Sequence, residues 1–381
     1  MKIRKIGKLA AINIVVLLVG VVILELVFGA WFKAPGLYMI SMYREVDWTI
    51  QTDDKYPRSS PVTYRRDYYG LRGDFGAPGD VSIVTLGGST TDQRFVSEGE
   101  TWSDVLGTCL RDKGYEARVA NAGVTGQTTA GHINNFPLWL DHVPDLKPAY
   151  IVAAIGINDV VFDSKAGQRA VDDITLWTES ARPHDRLKSI RRSIKMNSAL
   201  HRMYRIIRDN IEASRAGIND AASRPDHIAG DVAVAGVDLI RQELAAKAEE
   251  SVTIGDAEYQ RGDAEFAAIY AGVIGDYKER VALLAKTISG RGSVPVLVTQ
   301  GKGTYIVRDG RITGDLGDYF QLHQFNKAML EVCEKEGLFC IDAEQNLPTA
   351  PGDYYDIVHT TPQGSRKLGL YLCEAMQPVL P

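Results

Sequence analysis

Hydrophobic positions change their spacing several times along this chain, and each change marks an element. From Leu9 to Phe32 the run LAAINIVVLLVGVVILELVFGAWF is apolar almost throughout, broken by Asn13 and Glu25. A membrane-spanning helix takes about 20 such residues, and this run meets that length. Lys2, Arg4, Lys5 and Lys8 precede it, which predicts a cytoplasmic N-terminus with the bulk of the chain on the other side of an inner (plasma) membrane. A cleaved signal peptide is the alternative. It would be shorter and end on small residues, whereas the exit here reads Phe28-Gly29-Ala30-Trp31. The expectation is an uncleaved single-pass anchor over residues 1–32, with Trp31 at the far interface. Glu25 inside the run is read either as a partner contact or as a residue near enough to the helix end to reach the headgroups.

Residues 33–80 are rich in Tyr, Asp, Arg and Pro and carry no long period. They read as a juxtamembrane connector that packs on the following domain through its aromatics. From Val81 onward, short apolar runs alternate with amphipathic ones. VSIVTL (Val81–Leu86), ARVANAG ending at Gly123, AYIVAAIG (Ala149–Gly156), SVPVLVTQ (Ser293–Gln300) and LFCIDA read as strands. Between them, TWSDVLGTCLRDKG has helical spacing, a long helix precedes Ser293, and another runs from about Tyr319 to Lys335. YIVRDGRITG reads as a hairpin through Asp309-Gly310, and the tail ends in a helix. Strands separated by helices predict parallel pairing and an α/β fold over residues 81–381.

One long segment, about 163–262, breaks this rhythm and reads as a helical insertion. Within it, RLKSIRRSIKMNSALHRMYRIIRDN sets Leu187, Ile190, Ile194, Leu200, Met203 and Ile207 on one face among eight Lys and Arg residues. A solvated helical cap on the domain is the simpler expectation; a helix lying on an anionic membrane or facing an acidic substrate is the alternative.

Net charge is −5, so nothing in the total points to a nucleic-acid partner. Four cysteines are too few for a disulfide scaffold, and none forms a CxxC pair. Buried free thiols are the simpler expectation, with a bridge as the alternative.

Chemistry belongs at the C-terminal ends of parallel strands, where open sheets bind ligands. Three such ends carry polar residues beside glycine: Gly87-Gly88-Ser89, Asn121-Ala122-Gly123 and Gly156-Ile157-Asn158-Asp159. Taken singly they exclude more than they establish. Ser89 lacks the lysine of a phosphate loop, GGSTTD lacks the dinucleotide fingerprint, and Thr91 breaks the GxSxG elbow. Their combination with DYYDIVHTT is more informative. Of the seven histidines, only His359 has an aspartate, Asp356, three residues before it. On a short turn that spacing brings carboxylate to imidazole, fixing its tautomer as it takes a proton from a serine. A serine hydroxyl is a poor nucleophile without such a base. The N–H groups of Ser89 and Gly123 and the amide of Asn158 are then candidate donors to the developing oxyanion, each worth about 3–4 kcal/mol.

This ordered set, Ser89, Gly123, Asn158 and His359, resembles the SGNH/GDSL hydrolase superfamily, with GIND matching its GxND and DIVH its DxxH. The resemblance covers about Val81–Asp159 and then Tyr270 to the end. It implies a three-layer α/β/α sandwich with a five-stranded parallel, flavodoxin-like sheet. It also implies a metal-independent, cofactor-free esterase, lipase or acyltransferase that works through an acyl-serine, with Ser89 as nucleophile, His359 as base, Asp356 as its orienter, and Ser89, Gly123 and Asn158 in the oxyanion hole. One departure stands out: the usual Gly-Asp-Ser is Gly87-Gly88-Ser89 here, leaving Asp92 or Asp159 to take over the bracing. The GGSTT variant and the N-terminal anchor resemble membrane-anchored bacterial members. The expected partners are therefore the membrane and an acyl ester, O-acetyl groups on extracytoplasmic polysaccharide above all, removed or transferred. The alternatives are a lipase or phospholipase, marked by a long apolar pocket, and a catalytically retired domain serving as a membrane scaffold.

Overall fold

The apolar runs after residue 80 become strands buried on both faces, which is why they read as continuous rather than alternating. The computed structural model describes residues 2–29, 31–32, 42–52, 55–57, 60–161, 194, 197–201, 203–204, 207 and 250–381. They fall into two units, residues 1–41 with 175–228 and residues 42–174 with 229–381.

In the first unit, α1 spans Lys2–Phe28. Its side chains are described at Lys8 and from Ile12 onward, and the apolar ones among them, such as Val16, Leu17 and Val27, are largely exposed. Among the described residues no helix is long and apolar enough to cross a membrane, so the span expected over Leu9–Phe32 is not shown. Glu25 takes partners within this unit. Its carboxylate accepts from Ser198 Oγ at 2.6 Å and from the backbone N–H groups of Ala199 and Leu200 at 2.9 and 3.1 Å. Trp31 Nε1 donates to it at 2.8 Å. A carboxylate inside an apolar helix is thus satisfied by backbone donors that open a second helical turn. Most of the basic amphipathic segment lies outside the described residues; of its apolar face, Ile194, Met203 and Ile207 are exposed.

In the second unit the chain runs in order through β1 (Val46–Ile50), β2 (Val62–Arg66), β3 (Ile83–Gly87), α2 (Ser89–Asp92), α3 (Trp102–Asp112), β4 (Val119–Asn121), α4 (Thr129–Leu138), β5 (Tyr150–Ala154) and α5 (Ile157–Val161). It resumes with β6 (Ser251–Thr253), α6 (Ala257–Ser289), β7 (Val294–Val298), β8 (Tyr305–Arg308), β9 (Arg311–Gly314), α7 (Leu316–Glu336), β10 (Phe339–Ile341), α8 (Ala343–Asn346) and α9 (Pro362–Met376). Five strands form one parallel sheet in the order β10-β7-β5-β3-β4. That is the flavodoxin-like order, and its direction of travel reverses between β3 and β5. Alternate residues of each strand face opposite sides. Ile83, Val152, Ala154, Val296 and Val298 pack with Trp102, Leu106, Leu110, Leu372 and Met376 of α3 and α9. On the other side α6 packs with α4, α7 and β7.

Local signals explain most boundaries. Thr101, Asp256, Asp315 and Thr361 cap the N-termini of α3, α6, α7 and α9 with side-chain oxygens, as short polar residues do. Asp309 and Gly310 both take positive φ, at 50° and 72°, giving the tight hairpin expected between β8 and β9. Strand β6 joins this hairpin through β9 in a three-stranded antiparallel sheet.

One expectation is corrected. The cysteines are not free thiols: Cys109 of α3 bridges Cys373 of α9, and Cys333 of α7 bridges Cys340 of β10, each with Cα atoms 6.2 Å apart, within the usual range for a disulfide. The connector also holds regular structure. Strands β1 and β2 pair antiparallel from Val46↔Arg66 to Ile50↔Val62, and the segment reaches the rest of the unit through arginines as well as aromatics. Arg66 and Arg72 are both buried.

Candidate active site

The switch point between β3 and β5 opens a crevice at their C-terminal ends, and the predicted residues are carried to it by the turns that follow those strands. Strand β3 ends at Gly87 beside Ala154 of β5. After Gly88, Ser89 opens α2, so its own N–H has no intrahelical acceptor and points out of the turn.

The Asp356–His359 turn is closed by its own backbone, with Tyr355 N donating to His359 O at 2.9 Å. Asp356 Oδ1 accepts from the N–H groups of Val358 and His359 at 2.9 and 2.7 Å. This leaves Oδ2 for the imidazole, 2.6 Å from His359 Nδ1. A carboxylate can only accept, so Nδ1 carries the proton and Nε2 presents a lone pair. Nε2 lies 2.7 Å from Ser89 Oγ. Burial pushes the Asp356 carboxyl up, but the hydrogen bond and charge of His359 and the two backbone donors outweigh it, holding the group below the usual carboxylate range. Asp356 therefore stays ionised where His359 would need it.

Asn158 is also brought to the site. Its Nδ2 donates to the Gln127 carbonyl at 3.0 Å, and a second amide hydrogen remains. A Cβ on Gly88 would lie 2.1 Å from Asn158 Nδ2, so the absence of a side chain at 88 leaves room for this amide beside Ser89. Gly123 differs from expectation: its N–H donates to Asn121 Oδ1 at 2.9 Å and is already engaged. The structure thus gathers Ser89, Asn158, His359 and Asp356, and turns the Gly123 N–H aside.

Several supporting residues have no motif and were not expected from the sequence. Gln93, in the left-handed region at φ 50°, ends the nucleophile turn. Its amide donates to Thr360 Oγ1 at 2.7 Å and accepts from Trp102 N–H at 2.8 Å, tying the turn to the residue after His359. Gln300, just beyond β7, donates to Thr90 Oγ1 at 2.8 Å. Tyr355 lies parallel to the His359 ring, with centroids 5.6 Å apart and planes 10° apart. Asp92 and Asp159, the two acids left to replace the absent one, are both buried. Asp92 pairs with Arg66 at 2.7 Å and Asp159 with Arg280 at 3.2 Å. Beside the turn, a cavity of about 50 Å³ is lined by Thr90, Val358 and Thr360 together with Trp102, Leu347 and Leu368, among others. Among the described residues no cluster of His, Cys, Asp and Glu could hold a metal ion.

The chain is similar to known proteins. Esterase TesA of Pseudomonas aeruginosa is 32% identical over 78 residues, 20% of this chain and 37% of that protein; the chain thus spans little more than a third of the length of this curated relative. A crystal structure of TesA aligns over 78% of this chain and 99% of its own, at 14% identity and a TM-score of 0.38. A catalytic mutant of an acetylxylan esterase from Geobacillus stearothermophilus aligns over 77% and 93%, at 12% identity and a TM-score of 0.39. The model of the GDSL-like lipase/acylhydrolase family matches residues 85–367, which begin on β3 and run through the Asp356–His359 turn into α9, and the chain belongs to that family.

Proposed function

We propose that this protein is a serine ester hydrolase that removes or transfers short acyl groups, above all O-acetyl groups of carbohydrate, outside the cytoplasm while tethered by α1. The observation that carries the catalytic part is the unbroken Ser89 Oγ–His359 Nε2–Asp356 chain of 2.7 and 2.6 Å contacts. In this reading His359 accepts the hydroxyl proton as Ser89 attacks the ester carbonyl, and Asp356 stabilises the imidazolium. The negative charge that grows on the carbonyl oxygen is met by the Ser89 N–H and the free amide hydrogen of Asn158. The imidazolium returns its proton to the leaving alcohol. Water, or a sugar hydroxyl in a transferase, then attacks the acyl-serine with His359 again as base. An intact triad speaks for an enzyme over a retired scaffold.

The cavity beside the turn, lined by Thr90 and Thr360, the neighbours of Ser89 and His359, supports a short acyl group. About 10–15 Å³ of such volume holds one water, so about 50 Å³ suits a group of a few heavy atoms. Two disulfides support an oxidising compartment, since such bonds persist outside the cytoplasm. The tether is supported by the exposed apolar side chains of α1 and the basic residues before them.

The test is a chain-length series. The wild type should hydrolyse p-nitrophenyl acetate much faster than p-nitrophenyl palmitate and release acetate from acetylated xylan; a preference for palmitate would replace this reading with a lipase. Thiol titration of denatured protein from native cells should find no free thiols, and four would count against the compartment. Alkaline carbonate should leave the protein in the membrane pellet; release into the supernatant would remove the tether.

A further inference from the structure

One side chain outside the triad links the two turns that flank the nucleophile, and it comes from outside the segment that the family model matches. Arg66 closes β2 on its buried face, with Val62 and Tyr64. Each nitrogen of its guanidinium donates. Nε donates to Tyr64 Oη at 2.6 Å and Nη1 donates to the Gly70 carbonyl. Nη2 donates to Asp92 Oδ1 at 2.7 Å and to the Gly123 carbonyl at 2.5 Å. Asp92 ends the four-residue helix that Ser89 begins. Gly123 follows β4 and backs directly on that helix: a Cβ there would come 2.3 Å from the Asp92 nitrogen. The two backbones are in contact, and a single nitrogen of Arg66 holds the side-chain carboxylate of one and the carbonyl of the other.

The surroundings reinforce the contact. Tyr64 Oη donates to Asp92 Oδ1 and Thr125 Oγ1 to Asp92 Oδ2, at 2.9 and 3.0 Å. Asn121 bridges the same turns from the sheet side, accepting from Gly123 N–H and donating to the Thr91 carbonyl at 2.6 Å. Gly88 contributes no side chain to this bracing, because the Asn158 amide occupies the space one would need.

We propose that Arg66 is a positioning residue for acyl transfer: through the Asp92 carboxylate and the Gly123 carbonyl it clamps the Ser89 turn to the Gly123 loop, fixing the nucleophile and the Ser89 N–H that meets the oxyanion. The proposal rests on the reading of Ser89 as nucleophile. Its physical basis is that the planar guanidinium, held through Nε and Nη1 by Tyr64 and Gly70, aims Nη2 at both acceptors in fixed geometry, which an ammonium on a flexible stem does not. A residue of this kind governs kcat, since displacement of the reacting groups by about 1 Å costs about 10²-fold.

The experiment compares full-length wild type, Arg66→Lys and Arg66→Met in p-nitrophenyl acetate hydrolysis and in hydrogen–deuterium exchange. Arg66→Lys keeps a positive charge beside buried Asp92 and so preserves the fold, while losing the fork. The expected result for it is a fall in kcat of about 10²-fold with KM within about twofold. Exchange should quicken at residues 89–93 and 121–125 and stay at wild-type levels in β5 and β7. Folded Arg66→Lys with wild-type kcat and exchange would overturn the proposal, as would exchange that quickens uniformly through the unit. Should the wild type hydrolyse no ester, the reading of the site fails and exchange alone decides the clamp: quickening confined to those two segments upholds it, and unchanged exchange sinks it.

Discussion

Two buried trios of Arg, Tyr and Asp flank the candidate site, and they are built to different standards. On one side, Arg66 satisfies every nitrogen: it pairs with Asp92 at 2.7 Å and takes Tyr64 Oη and two carbonyls as further acceptors. On the other, Arg280 reaches Asp159 at 3.2 Å. Among the described residues no acceptor meets its Nε, and the hydroxyl of neighbouring Tyr277 is also without a partner. The carboxyl groups respond in opposite directions. Burial pushes both up, but the charges of Arg66, Arg94 and Arg72 outweigh it at Asp92, which lies below the usual carboxylate range. At Asp159, burial wins over Arg280 and the two hydrogen bonds from Thr129, and the group lies above that range. A buried acid stays charged when enough positive charge and enough donors converge on it, and one long contact does not suffice.

The largest effect that tests this contrast is Arg66→Met, which strands a charge that its surroundings hold ionised. Removing one partner of a buried pair costs about 3–5 kcal/mol, a fall in Tm on the order of 10 °C for a unit of this size. Arg280→Met should cost less, about 1–3 kcal/mol, because Asp159 can take up a proton. Thermal unfolding of the two variants checks the order, and equal losses would erase the distinction. Next comes pH. Asp92 has its folded-state pKa below its ordinary 3.8, so its contribution is complete above that value and lost as pH falls through the lower one. Asp159 has the opposite sign: its folded-state pKa lies above 3.8, so stability is lost as pH rises from there through the higher value. Denaturant unfolding across this range should show that Asp92→Asn removes the acid-side loss and Asp159→Asn removes the loss on raising pH; the same slope change in both would contradict the assignment.

The same contrast separates what the sequence could tell from what it could not. Ser89, Asn158 and the Asp356–His359 pair were legible because each follows a glycine-marked strand end or closes its own short turn, so local spacing carries the geometry. The Asp309-Gly310 hairpin was legible for the same reason. Arg66 was not. It occupies an inward position of a five-residue strand where the period-2 pattern calls for an apolar residue, and its acceptors lie 26 and 57 residues away. The Cys109–Cys373 bridge closes over 264 residues and becomes visible only once α3 and α9 share a face. Gly88 departs from the motif where the Asn158 amide fills the space a side chain would need, a contact that no local spacing shows.

The most direct test of the account is to trap the intermediate. Intact protein acid-quenched during turnover of p-nitrophenyl acetate, then digested and read by mass spectrometry, should carry one acetyl group on the peptide containing Ser89. Asn158→Ala should slow its formation, and Ser89→Ala should abolish it. An acetyl group on any other residue, or wild-type turnover by the Ser89→Ala protein, would contradict the account.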